Sequence, residues 1–522
     1  MDRKVVSAED AVARIASGTT IAVSGNGEMV MPDRVLAALE ARFLQEGEPR
    51  GLTAILPIVL GAPVEGRGAD RLAHPGLLAC VIGSSLTTLR IRRLNQLLLD
   101  GLVEGYHLPM GAVFHMLRAT AGGKPGDLSR VGIGSFVDPR NGGGRVNAAT
   151  TENLVEIVTI SGEEFLFYPA PRVDTAIIRA TSADEYGNLT FEDEAMTSGA
   201  LTLAMAAKSS GGTTIAQVKR LVVARSLHPK AVVVPAPLVD AIVVDPNQQR
   251  TVEPYVPEFT GDIRTPLHVE PLPLDARKIV LRRALMELER GGLYNVGFGV
   301  PAELAAVLVE EGLFDEISLS VEHGPLGGVP YGKTQFGAAI NPQAIMDTVQ
   351  VFDMYDGGIL TGTLLGMAQV DARGSVNVSN INGFRNIGGF IDIVHRTPTI
   401  LFCGTFTSGG LQVLADSENG LHIVREGAHR KFVDHVAEES FASRRGLSVG
   451  QKVTYITERA VFVLSEGGLV LTEIAPGVDL ERDVLGLMDF LPLVADPLMT
   501  MDARIFGEGP RGLSLRSMGG HQ

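Results

Sequence analysis

Tryptophan is absent and aromatic residues make up only 5% of the chain. That argues against a row of base-stacking platforms for single-stranded nucleic acid. Positive charge is also short: 45 Lys and Arg stand against 60 Asp and Glu, a net charge of −15. Such a balance disfavours a phosphate backbone or an anionic membrane as main partner. It leaves room for an anionic small substrate, which needs only a local pocket. The two cysteines, Cys80 and Cys403, lie far apart in apolar runs. They exclude a disulfide framework and point to buried thiols in a reducing, cytoplasmic setting. No apolar run reaches the ~20 residues of a membrane span. Met1-Asp2-Arg3-Lys4 leads into a helical pattern with no signal-peptide core.

What is present is a large globular chain. At ~100–200 residues per domain, its 522 residues allow two to four domains, and 45% hydrophobic residues suffice for sizeable cores. Ser7-Ala8-Glu9-Asp10 has the form of a capping box with Ser7 as N-cap. Thr20–Val23 reads as a strand, Ser24-Gly25-Asn26-Gly27 as a turn, and Pro32 as the start of a helix.

The same order recurs about 270 residues later, on the scale of roughly two domain lengths. A helical stripe through Ile279, Leu285 and Leu288 precedes a strand at Leu293–Val296, a Gly297-Phe298-Gly299 turn and a helix led by Pro301. Asp184-Glu185-Tyr186-Gly187 echoes Asp371-Ala372-Arg373-Gly374, and the stretch 212–217 echoes 397–402. Echoes in one order predict an internal duplication. The expected fold is two homologous open α/β halves with the active site between them. Proline density over 253–274 marks a linker between a first half at 1–252 and a second at 275–522. The first half is longer, with extra material around 60–150. Further on, 432–441 reads as a helix, 390–393 as a strand, and 453–457 with 460–464 as neighbouring strands.

The chemistry concentrates in the second half. Leu319 and Val321 alternate with Ser318 and Ser320 as in a half-buried strand. That strand runs into Glu322 and then the glycine–proline break Gly324-Pro325-Leu326-Gly327-Gly328. An acid at the carboxyl end of a strand lies where open α/β sheets bind ligands; a solvated surface acid is the plain alternative. Read chemically, Glu322 is a carboxylate nucleophile. Amides of the glycine-rich loop 385–390 could meet a developing oxyanion, or that loop is simply a turn. Gly297–Ala302 also fits G-x-G-x-x-A with an acid at dinucleotide-fingerprint spacing. An NAD-dependent dehydrogenase is therefore a second reading. Pro301 weakens it by removing an amide from the helix start. Ser417-Glu418-Asn419-Gly420 places another glutamate beside glycine, but between strand-like runs, where Asn-Gly marks a hairpin. His422, His429 and His435 lack metal-ligand spacing.

Several motifs together resemble the class I CoA-transferases, in particular the single-chain acetate/propionate branch. They are 321–330, Phe336-Gly337-Ala338, 352–358, 134–140, 402–407 and 471–477. The resemblance implies that Glu322 is the catalytic glutamate. It would pass through a mixed anhydride to a glutamyl-CoA thioester in ping-pong fashion. CoA and acyl-CoA would be substrates, with no permanently bound cofactor and no metal. It further implies Gly388 and Gly389 as oxyanion donors, Gly297, Phe298, Gly299 and Val300 as CoA contacts, small carboxylates as acceptors, and a homo-oligomer, a tetramer by analogy. A 3-oxoacid preference is the alternative within the same class, and a non-catalytic CoA-sensing module one outside it. Two positions depart from the family pattern: Asn386 stands at the first glycine of the oxyanion loop, and Met110 replaces a glutamine near the carboxylate pocket.

Overall fold

The computed structural model describes residues 4–61, 66–88, 90–248, 255–332, 335–381 and 384–517. Ser7 caps the first helix, α1 (Ala8–Val12), its side chain accepting from the Asp10 N–H at 3.0 Å. The helix α2 (Asp33–Glu46) buries Val35, Leu36, Leu39 and Phe43 along one face. It stops at Gly47, whose left-handed backbone returns an N–H to the Phe43 carbonyl.

The first sheet is built from β1 (Thr20–Val23), β2 (Leu52–Leu56), β3 (Leu78–Gly83), β4 (Glu104–His107), β5 (Thr175–Asp184), β6 (Thr213–Val222) and β7 (Ala241–Val244). They lie in the order β7-β6-β5-β1-β2-β3-β4, all parallel. β5 is buried along its whole length, as expected of a parallel strand covered on both faces.

The second sheet repeats the plan. Its strands β8 (Leu293–Val296), β9 (Ser318–Ser320), β10 (Gly362–Leu365), β11 (Thr399–Cys403) and β12 (Lys452–Ile456) run β12-β11-β10-β8-β9. β8 sits between β9 and β10 as β1 sits between β2 and β5. The duplication expected from the sequence is thus a duplication of topology. It extends to the turns: Asp184 Oδ1 accepts from the N–H groups of 186–188, and Asp371 Oδ1 from those of 373 and 375. Three strands then extend the second sheet: β13 (Ala460–Ser465), β14 (Gly468–Ile474) and β15 (Leu493–Thr500). The extra material of the first half includes a separate three-stranded antiparallel sheet over 126–169.

Between the sheets lie α3 (Met110–Ala121), α4 (Thr348–Asp356) and α5 (Phe390–Arg396), whose apolar residues belong to one core shared by both halves. The stretch 255–274 carries one short helix, Pro257–Thr260, in otherwise irregular backbone. We place the division between the halves within 253–274, of which 253 and 254 lie outside the described residues.

Two readings are corrected. Phe390–Ile393 is the first turn of α5 and not a strand. Its apolar run covers only four positions, too few for periodicity to separate the two structures; Gly388 turns the chain at φ +56° and the Gly389 carbonyl accepts the Ile393 N–H. The segment 432–441 is not helical either. Phe432 and Phe441 are buried at its ends and bridge Val370 and Val376, while Glu438 and Glu439 accept from Ser379 and Ser375. Those bonds to another segment replace helical ones.

Candidate active site

Glu322 sits in a tight turn directly after β9. Val321 donates to the Pro325 carbonyl and Gly324 to the Val321 carbonyl, so the chain folds back into the short strand Pro325–Leu326. Gly324 has φ +145°, and a Cβ there would fall 2.7 Å from the Met346 carbonyl oxygen, so this turn requires glycine. Thr348 Oγ1 anchors it from α4 by donating to the His323 carbonyl at 2.9 Å.

The carboxyl group lines a cavity of about 530 Å³ between the halves. From the first half come Asn26, Ile58, Val59, Ser85, Arg90 and Met110; from the second come the 297–298 turn, His323, Phe336 and the 386–388 loop. Glu322 is only 7% exposed, and its Oε2 has no hydrogen-bond partner among the described residues. Burial pushes its pKa up to about 7, opposed by hydrogen bonds from its own backbone and from Asn295. Asn295 lies on β8, fully buried. Its Nδ2 donates to Tyr355 Oη at 3.2 Å, the Tyr355 and Ser320 hydroxyls are hydrogen-bonded at 2.6 Å, and Thr363 donates to Asn295 Oδ1 at 3.0 Å. A buried, fully connected polar chain therefore fixes the amide beside the carboxylate.

The loop 385–389 is stitched to the first half through its backbone. Ile387 and Gly388 both donate to the Ser84 carbonyl, at 3.1 and 3.0 Å, and Met110 donates to the Gly388 carbonyl at 3.0 Å. Ser85 Oγ donates to Asn386 Oδ1 at 2.5 Å. Asn386 has no positive φ, so a side chain is accommodated where the family pattern has glycine. The Gly388 N–H, expected to face an oxyanion, donates to the Ser84 carbonyl. The Gly389 N–H has no acceptor among the described residues. A Cβ on Gly389 would lie 2.8 Å from Phe352 and 3.4 Å from Glu322 Cγ, so this backbone lies close to the Glu322 side chain.

Of the four residues expected to touch CoA, Gly297 and Phe298 line the cavity; Gly299 (φ +92°) and Val300 follow in the short 3₁₀ turn before the next helix. Phe298 is 64% exposed and packs edge-on against Phe336, which packs edge-on against His323. Behind the site Asp392 of α5 is fully buried and accepts from the N–H groups of Gly111 and Ala112 at the start of α3. Burial raises its pKa to about 8 in spite of those bonds. Sequence reading missed Asn295, Arg90 and Asp392. Asn295 looked like one polar residue in an apolar strand, and only the fold brings the other two near Glu322. Asn26 had a signal: its turn follows β1 as the Gly297 turn follows β8. Glu418 lies exposed at the tip of a hairpin between Gln412–Asp416 and Gly420–Arg425. His422, His429 and His435 are exposed.

Residues 5–245 match the family model of Coenzyme A transferase. The acetate CoA-transferase YdiF of Escherichia coli O157:H7 is 41% identical over 98% of this chain and 96% of its own. A caffeate CoA-transferase of Acetobacterium woodii is 38% identical over 98% of both chains. The crystal structure of the YdiF acyl-CoA transferase in its thioester complex with CoA superposes with a TM-score of 0.92 at 39% identity, covering 99% of this chain and 98% of that one.

Proposed function

This chain belongs to the class I CoA-transferase family and is an enzyme that moves CoA from an acyl-CoA to a carboxylate; we propose that Glu322 is the group through which CoA passes. The observation that carries this reading is a buried carboxylate that lines a cavity, has one oxygen without a partner among the described residues, and lies beside the Gly389 backbone, whose N–H has no acceptor among them.

The ionised Glu322 attacks the thioester carbonyl, and the oxyanion that forms takes the Gly389 N–H. Collapse expels CoA thiolate and leaves a mixed anhydride. The thiolate then attacks the glutamyl carbonyl, releasing the first carboxylate and forming a glutamyl-CoA thioester. An incoming carboxylate runs the two steps in reverse, which is ping-pong exchange. Gly388 serves by turning the chain, its own N–H being held by Ser84. The turn 297–300 receives the CoA arm, with Phe298 as its exposed apolar surface. Arg90 supplies positive charge toward the carboxylate substrate. The wall near that charge is apolar, through Ile58, Val59 and Met110, which favours short-chain acids such as acetate and propionate over 3-oxoacids bearing a second polar group. The G-x-G turn opens onto this wall and needs no dinucleotide.

The test is incubation with acetyl-CoA and no acceptor, followed by intact and peptide mass spectrometry. Covalent CoA is expected on the Glu322 peptide and absent in Glu322→Gln. An adduct on the Glu418 peptide would overturn the assignment.

A further inference from the structure

A second cavity, of about 650 Å³, lies behind α5 as seen from Glu322. Phe390 and Ile393 of that helix face the catalytic cavity, whereas His395 and Arg396 face this one, together with Arg130 and Arg445. Arg130 is paired with Glu163 and lies 4.8 Å over the Phe165 ring, which fixes its position. Arg396 and Arg445 have no carboxylate partner among the described residues, and Arg445 Nε is buried without an acceptor.

The charges act on one another. Burial, and then the charges of Arg445, Arg396 and Arg130, drive the His395 pKa down to about 4; burial and Arg130 lower that of Arg445. Asp356 is the one acid among the described lining residues. Burial and the neighbouring Asp392, Asp127 and Asp353 hold it well above the usual carboxylate range, so it offers little compensating charge. Gln451 cannot stand in as a donor, because its Nε2 is spent on the Val394 and Thr397 carbonyls.

Arg396 and Arg445, neither with a matched acid among the described residues, line this cavity together with Arg130, and an anion there would supply the missing partner. Their planar forks suit a tetrahedral dianion better than a single carboxylate. The volume exceeds that of a bare phosphate. We propose that this cavity binds a phosphate-bearing small molecule through Arg130, Arg396 and Arg445, at a site separate from that of the acyl-CoA.

Calorimetric titration of the intact enzyme with inorganic phosphate and, separately, with AMP tests this. Saturable binding is expected, weakened about tenfold or more in Arg445→Gln, while acetyl-CoA binding is unchanged. Tighter binding of AMP would identify an organic phosphate as the source, and equal affinity the free ion. Arg396→Gln, at an exposed position, serves as a second variant should Arg445→Gln fold poorly; it is expected to weaken binding in the same direction. The proposal falls if neither probe saturates, if neither variant changes affinity, or if acetyl-CoA displaces the bound phosphate.

Discussion

His323 Nδ1 stands 4.0 Å from Glu322 Oε1, and the two do not form an ion pair. Burial, followed by the charge of Arg90, drives the imidazole pKa down to about 3, so it is neutral near pH 7. The Glu322 carboxyl is therefore governed by burial and not by a cationic neighbour. Its acid limb in kcat/KM, which reports the free enzyme, is expected near pH 7. His323→Gln is expected to leave that limb where it is; a shift upward on substitution would mean that the imidazolium had been stabilising the carboxylate.

Glu322→Gln is expected to abolish CoA exchange and at the same time to stabilise the fold in alkaline solution. The carboxyl has a folded pKa of about 7 against 4.5 for the ordinary group, so the folded state holds its proton more tightly. The associated stability is complete below about pH 4.5 and is lost as pH rises through 7, up to about 3 kcal/mol. Thermal unfolding at fixed scan rate should show the variant melting above the parent at pH 8 and the gap closing toward pH 4.5.

Asn295→Ala removes a donor that lowers the Glu322 pKa and leaves Tyr355 and Thr363 with broken contacts. Exchange should slow roughly tenfold to a hundredfold. The acid limb should also move up, which a purely structural defect would not produce. A pH profile of kcat/KM on the purified variant separates the two.

Gly389→Ala places a methyl group 2.8 Å from Phe352 and 3.4 Å from Glu322 Cγ. The displaced amide should lower kcat by about a hundredfold or more with KM for acyl-CoA little changed. Equal losses in binding and turnover would place this amide on the CoA arm and not on the oxyanion.

Glu418→Gln is expected to change neither exchange rate nor melting temperature. Its carboxylate is exposed at a hairpin tip, where Asp416 already accepts the local N–H groups.

Much of this architecture could be read from residues. The order of helix, strand, Gly-x-Gly turn and Pro-led helix occurs twice because two sheets with one strand order were built from it. The Asp184 and Asp371 turns match because each carboxylate organises the same set of backbone N–H groups. Glu322 was legible as a polar break in an apolar strand. What escaped depended on contacts between distant segments. α5 was misread because Phe390-Ile391-Asp392-Ile393 is too short an apolar run for its period to show, and Asp392 faces the start of α3, which no local pattern encodes. The fate of the Gly388 N–H likewise depends on Ser84, some 300 residues away in sequence on the scale of whole domains.

The bonds that join Ser84, Gly388 and Met110 limit how the enzyme can breathe. A jaw that swung the halves apart to admit substrate would tear out the loop that carries Gly389 and dismantle the catalytic apparatus at each turnover. With the halves kept joined, acid and acyl-CoA use in turn the cavity that Glu322 and the exposed Phe298 line. Chemistry that never leaves both products waiting together suits a shared space of that kind.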